Sequence, residues 1–286
     1  EWSHRIAAQG GHEEEFVTRT TMRVSTIAAA AFAAVLGFIS LFAQQSAAQT
    51  ARQTTGGQAP LRVLCSNGVK AAVEELRPQI ERATGRRLVI VFDSSQRLMG
   101  KIDTGETFDV AILSSANIET LVQKGTIAAG SRADIGRTGV GVGVRAGARK
   151  PDISTPEALK QTLLNAKSIA MNPTGASINY FNRAVVSLGI AEAVKPKLML
   201  DAEPGRPQMN VAEGKAELVW TQIPEIRFFP GLELAGTLPA ELQGYTEFAG
   251  GVAAKSGNAQ AAAAMMRFLG SPAATAIFRA KDVEAR

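Results

Sequence analysis

The chain reads as an α/β protein with a largely parallel sheet, and three observations carry that reading. From Leu61 onward, short β-branched runs alternate with amphipathic stretches, the pattern of strands joined by crossover helices. The amphipathic stretches open on cap residues and stop at glycines, as helices do. The composition is globular: 286 residues, 45% hydrophobic and 20% charged, with 27 Gly and 12 Pro, which is neither disordered nor collagenous.

The elements follow in order. Residues 61–66 (LRVLCS) form a strand. Residues 67–85 read as a helix, because Val69, Ala72, Val73, Leu76 and Ile80 recur at helical spacing and Gly85 supplies the stop. A strand over 86–94, a helix over 95–105, a strand over 108–114 and a helix over 115–125 repeat the theme. A Gly-spaced extended segment covers 138–147. Residues 154–166 open on Thr155-Pro156-Glu157, a helix start, before a strand at 168–172 and a helix at 174–189. A strand at 197–201, a helix at 204–214 and a buried strand at 216–222 precede a helical stretch from Gly257 to the end.

The longest apolar run, 27–43, follows Met22 and Arg23 and leads to Ser46-Ala47-Ala48. A short positive start, an apolar middle and a small-x-small site read as a cleaved secretory signal over 22–48, cut near Gln49. The competing reading is a membrane anchor, for which 17 residues is short. Residues 1–21 are expected to be an upstream or non-native segment, and 49–60 a linker. Export to the periplasm follows. Both histidines, His4 and His12, precede the cleavage site, so the exported chain lacks the base of a Ser-His-Asp or Cys-His centre and any His-ligated metal. Cys65 has no partner for a disulfide and reads as a small buried hydrophobe. No cofactor or metal is expected.

The net charge of +5 suits a small anion. No Lys/Arg cluster interleaves with aromatics, which argues against nucleic acid, and the densest basic stretch, Arg145 to Lys150, reads as a solvated loop. Two extended Gly-containing segments, 138–146 and 244–253, could carry the chain between lobes. That places one lobe at 61–140 plus 246–286 and the other at 141–245.

Four strand-to-helix junctions carry hydroxyl or Gly residues: Ser66-Asn67-Gly68, Ser94-Ser95, Thr174-Gly175-Ala176-Ser177 and Pro204-Gly205-Arg206. Each could be a plain N-cap, worth ~1 kcal/mol. Gathered at the carboxyl ends of the strands, their free N–H groups would instead form an anion cleft.

The order SNGV, FDSSQRLMGKIDTGETFDVAILS, NPTGASINYFNRAVVSLGI, GKAELVWTQIPEI and SPAATAIFRA resembles the periplasmic molybdate-binding proteins of ABC transporters over 61–286. The resemblance implies a two-lobed periplasmic-binding-protein fold with two hinge crossings that closes over its ligand, a monomer, and a membrane permease as partner. It also implies oxyanion contacts at Ser66, at Ser94 or Ser95, and at Ala176 with its neighbours Gly175 and Ser177. A fourth would fall between Arg206 and Asn210, and a fifth at Gln222. The chain departs from the pattern. Gln222 replaces the usual Tyr, Asn67 and Gly68 stand where small Ala or Ser is common, and Arg97 follows the serines. A guanidinium suits a planar carboxylate as well as an oxyanion.

The expected function is therefore capture of a molybdate- or tungstate-like anion for a permease. The alternative is isomerisation of aconitate, since some aconitate-isomerising enzymes are similar to this binding-protein family. That reaction needs a base, for which Glu225 or a lysine would have to serve, although a Glu in a strand-to-loop turn is more often solvated. Trp220, Phe228 and Phe229 are expected to pack in the second lobe, and Met265 and Met266 in a core helix.

Overall fold

A computed structural model describes residues 59–285. The leader, the upstream segment and most of the linker read from the sequence lie outside the described residues. The described chain, Ala59 onward, is one compact unit. Its strands are β1 (Leu61–Ser66), β2 (Leu88–Asp93), β3 (Val110–Ser114), β4 (Ala133–Arg145), β5 (Ile169–Met171), β6 (Leu198–Leu200), β7 (Leu218–Gln222), β8 (Leu232–Thr237) and β9 (Tyr245–Val252). The helices are α1 (Lys70–Thr84), α2 (Ser95–Asp103), α3 (Ser115–Gln123), α4 (Pro156–Asn165), α5 (Ser177–Ser187), α6 (Ala191–Val194), α7 (Arg206–Ala212), α8 (Ile223–Arg227), α9 (Ala259–Leu269) and α10 (Pro272–Ala280).

The strands run in the order β2-β1-β3-β9-β4-β7-β5-β6, with β8 on β4. The βαβ units pair in parallel, β1 with β2 and β3, and β5 with β6 and β7. Pairings made by β4 and β9 are antiparallel. The sheet is thus parallel wherever a helix returns the chain, and antiparallel along the two long strands that join the halves. Both joining strands fall where the sequence shows Gly-containing extended segments. Glycine is required there by space: a Cβ on Gly141 would lie 2.9 Å from the Gly236 carbonyl oxygen, and one on Gly143 2.8 Å from a Val219 methyl.

Apolar clusters mark the two lobes. One joins Leu61, Val63, Val73, Leu76 and Ile112 to Phe248, Met265 and Phe278, so the last two helices return to the first lobe. Met265 and Met266 are core, as expected. The other surrounds Trp220, which meets Phe181 edge-on at 5.2 Å and donates from its indole N–H to the Ser177 carbonyl at 3.2 Å. Cys65 is fully buried in β1, and burial pushes its thiol far above the ordinary range, which makes it inert.

Three departures from the sequence reading have local causes. Residues 67–69 form a 3-10 turn before α1 begins, and Gly68 within it is wedged against neighbours that leave no room for a Cβ. Strand β8 and the short α6 were not foreseen. Neither has a strong period, and β8 is held by pairing to β4 rather than by propensity.

Asp109 ties the first lobe. Its carboxylate accepts from the Arg62 N–H at 2.8 Å, the Ser256 hydroxyl at 2.6 Å and Asn258 Nδ2 at 3.2 Å, joining β1 to the approach of α9. Asp109→Ala leaves these partly buried donors without their charged acceptor, and a hydrogen bond to a charged group contributes ~1.5–3 kcal/mol. A drop of about 3 kcal/mol in unfolding free energy is expected by urea titration. Asp109→Asn is expected to lose less.

Candidate functional site

The carboxyl ends of β1, β2 and β3 face those of β5, β6 and β7, so the four junctions read from the sequence do converge. Ser94, at the start of α2, is one meeting point. Its Oγ accepts from the Arg97 N–H at 3.3 Å and lies 3.0 Å from Thr174 Oγ1 in the opposite lobe. Thr174 donates its own proton to Asn172 Oδ1 at 2.8 Å, so Ser94 is the donor across the gap. Ser94 therefore acts as both a cap and a latch.

Arg97 forms a second latch. Its guanidinium reaches Asp93 at 3.1 Å, the Ala202 carbonyl at 2.7 Å and Glu203 at 3.6 Å. These partners occupy it, so in this closed arrangement Arg97 binds lobe to lobe and does not present a free clamp. The Ser95 hydroxyl accepts from the Ser114 N–H at 3.0 Å and joins α2 to β3.

Ser66 is buried at the end of β1 and makes no cap bond with its side chain. Gln222, also buried, accepts from Thr138 Oγ1 at 2.5 Å. Thr138 pairs with Thr246 across β4 and β9, so the two side chains share a face of the hinge. The Thr246 hydroxyl is buried without a partner. Gly175 and Ala176 precede α5, and Ala176 lines an open 760 Å³ cavity with Ser114, Ser115 and Arg183. Ser177 is buried and serves Trp220 through its carbonyl. Arg206 is exposed, with the Met209 sulfur 3.5 Å away, and α7 behind it is seven residues long.

A second, more enclosed cavity of about 430 Å³ lies between α1 of one lobe and α7 and α8 of the other. Asn67, Lys70, Glu74, Gln208 and Glu225 supply its polar lining, and Phe92, Met209, Phe228 and Phe229 much of the apolar wall. Two sequence expectations are corrected here. Phe228 is an exposed ring on this cavity, with Lys281 4.5 Å from its centre, whereas Phe229 lines the cavity and also packs against the second-lobe cluster of Val211, Val219 and Ile226, as expected. Glu225 is not a solvated turn residue. Pro224 starts α8 and turns the following carboxyl inward, where Glu225 Oε2 accepts from Thr221 Oγ1 and Gln208 Nε2, both at 2.9 Å.

Burial pushes the Glu225 carboxyl above the ordinary glutamate range, while the bonds from Thr221 and Gln208 and the positive charge of Lys70 pull the other way. Lys70 lies 5.4 Å from the centre of the Phe92 ring, so its ammonium is anchored beside an aromatic face at the cavity wall. Among the described residues no group of three or more metal-ligating side chains occurs. A held carboxyl of raised pKa beside a cation, in an apolar enclosure, can move a proton at a carbon flanked by carboxylates. The sequence reading singled out the 206–210 stretch that holds Gln208, but not Lys70, which lies one turn after Asn67 and reaches the cavity from the other lobe.

A raised carboxyl carries a stability cost with a definite sign. The unfolded chain ionises Glu225 freely, so its cost to the fold is absent at low pH and grows as pH rises through the elevated value. Glu225→Gln is expected to raise the thermal midpoint at pH 7 and to leave it near wild type at pH 4, as calorimetry at both values will read.

The model of the family described as bacterial extracellular solute-binding protein matches residues 61–281. An aconitate isomerase from Pseudomonas sp is 34% identical over 219 residues, covering 74% of this chain and 82% of that protein. The periplasmic molybdate-binding protein of Azotobacter vinelandii superposes with a TM-score of 0.66 at 20% identity, covering 79% of this chain and 99% of that one. The sulfate-binding protein SubI of Mycobacterium tuberculosis superposes with a TM-score of 0.63 at 13% identity, over 79% and 86%. With this fold and a family match over most of its length, the chain belongs to the bacterial extracellular solute-binding protein family.

Proposed function

We propose that this protein is an exported isomerase that moves the double bond of a small unsaturated tricarboxylate, interconverting the trans and cis forms of aconitate. The observation that carries the reading is the Glu225 carboxyl, held on one oxygen by Thr221 and Gln208 and opening onto a cavity shared with Lys70. Identity to the aconitate isomerase supports it. A cavity of about 430 Å³ falls within the range of organic-ligand sites. A tetrahedral dianion would gain little from apolar walls.

The chemistry balances without a cofactor. Ionised Glu225 takes one proton from the methylene carbon, and the C–H electron pair spreads over the three-carbon allylic system. The pair then closes a new double bond between the former methylene carbon and the central carbon, while Glu225 returns the proton to the former vinylic carbon. Lys70 stabilises the charge that develops on the adjoining carboxylate. No atom is gained or lost, and the shift exchanges the cis and trans arrangements.

The test is to incubate purified protein with trans-aconitate and follow the mixture by proton NMR. Growth of the cis isomer at a rate proportional to protein supports the reading. Calorimetric binding of anions without any conversion overturns it, in favour of pure solute capture for a membrane permease. That second reading draws on the two latches, Ser94 to Thr174 and Arg97 to Ala202, which couple closure to ligand and give a permease a state to recognise.

A further inference from the structure

The Gln208 amide is held at a cost. Its Nε2 donates to Glu225 Oε2, and its own Oε1 is buried with no hydrogen-bond partner. A buried unpaired carbonyl is a penalty that proteins normally avoid. Turning the amide over would not relieve it while Glu225 is ionised, since Oε1 would then face a carboxylate oxygen at hydrogen-bonding distance. The unfavourable orientation persists because a donor is needed at Glu225. Thr221 makes the second bond to the same oxygen, one turn before Glu225, from the last residues of β7.

Resting on the isomerase reading, we propose that Gln208 and Thr221 are positioning residues that together saturate Glu225 Oε2, so that proton transfer to and from substrate runs through Oε1 alone. Two bonds from different elements, α7 and β7, fix both the plane of the carboxyl and its rotation. A base confined to one oxygen takes a proton from one carbon of the allylic system and meets the other carbon in the same plane. Neither Gln208 nor Thr221 need touch the reacting atoms.

Among the described residues, Gln208 and Thr221 are the direct hydrogen-bond donors to Glu225. Lys70 and Glu74 share the cavity from α1, and Glu74 is paired with Arg77. On α8 itself Arg227 is paired with Asp282, and on β8 Glu233 is paired with Lys150. Arg206 on α7 is exposed, and Lys281 is engaged with Glu75.

The decisive variants are Gln208→Met, Thr221→Val and the double variant, with Thr221→Ser as the conservative control. In Gln208→Met, kcat is expected to fall 10- to 100-fold with KM changed less than threefold. The acid limb of the kcat profile is expected to move upward by half a pH unit or more, because the ionised base has lost a donor. Thr221→Ser is expected to stay within threefold of wild type. The double variant is expected to lose less than the product of the single losses, since both groups hold one oxygen.

A second measurement stands apart from turnover. In ligand-free protein with carbon-13 at the glutamate carboxyls, the Glu225 signal, identified by its disappearance in Glu225→Gln, is expected to titrate at higher pH in Gln208→Met than in wild type. An unchanged midpoint overturns the positioning role, and so does a loss confined to KM. If wild type shows no conversion, the isomerase reading fails, and the titration alone decides whether Gln208 and Thr221 hold the carboxyl.

Discussion

Glu225→Gln slows the conversion of trans- to cis-aconitate by roughly 10² to 10⁴, the range general-base removal produces, while affinity for the tricarboxylate stays within a few-fold of wild type. The substitution preserves shape, and a glutamine carbonyl can still accept from Thr221 and Gln208, whose bonds to Glu225 are both 2.9 Å. Only the capacity to carry a proton is lost. Turnover in the wild type should rise with pH through a midpoint above the ordinary glutamate value, because burial holds the carboxyl protonated at low pH. The same burial makes the ionised form costly to the fold, so the variant that kills catalysis is the one that stabilises the protein at pH 7. Steady-state kinetics, calorimetric binding and thermal scans on one pair of proteins measure all three effects. A variant that retains full activity would remove Glu225 from the chemistry.

The parallel halves of the sheet were legible because their signal is local. Strand β1 and helix α1 announce themselves through spacing alone, with Ala72, Val73, Leu76 and Ile80 buried as the period requires. The joining strands were legible as well, because glycine at 139, 141 and 143 leaves a visible mark. The site was only half legible. Ser66, Ser94 and Gln222 were singled out at strand ends, which gather wherever the topology places them in an open α/β sheet, but none of the three lines the cavity onto which Glu225 opens. The bond from Gln208 to Glu225, the part played by Lys70 and the inward turn of Glu225 were not, since they depend on how α7, β7 and α8 pack within the second lobe and on Lys70 reaching the cavity from the first. A glutamate two residues into a Pro-started turn has the same local sequence whether it faces solvent or a cavity. Arg97 shows the converse: its proximity to the serines was visible, but the Ala202 carbonyl that occupies it was 105 residues away.

Gly68→Ala tests whether closure is needed for function. A Cβ at this position would lie 2.2 Å from Gln222 Oε1 in the second lobe and 2.5 Å from Phe248 Cζ in the first. Neither neighbour yields freely: Gln222 is tied to Thr138 at 2.5 Å, and the Phe248 ring is 1% exposed within the core. Part of the strain is released by moving the second lobe away, which also lengthens the Ser94 to Thr174 and Arg97 to Ala202 latches. Overpacking of this kind costs ~1–3 kcal/mol. If that cost must be met on each closure, ligand affinity falls by roughly 5- to 150-fold, read by calorimetric titration. Adding Gln222→Ala removes one of the two clashes and is expected to restore part of the affinity, at the expense of the Thr138 bond. Gly100→Ala, inside α2 where a Cβ meets nothing within 4 Å, serves as the control and should gain ~0.5–1 kcal/mol of stability with unchanged affinity. A Gly68→Ala protein that binds as tightly as wild type would mean that the lobes meet loosely at this point, and that the latches alone set the closed state.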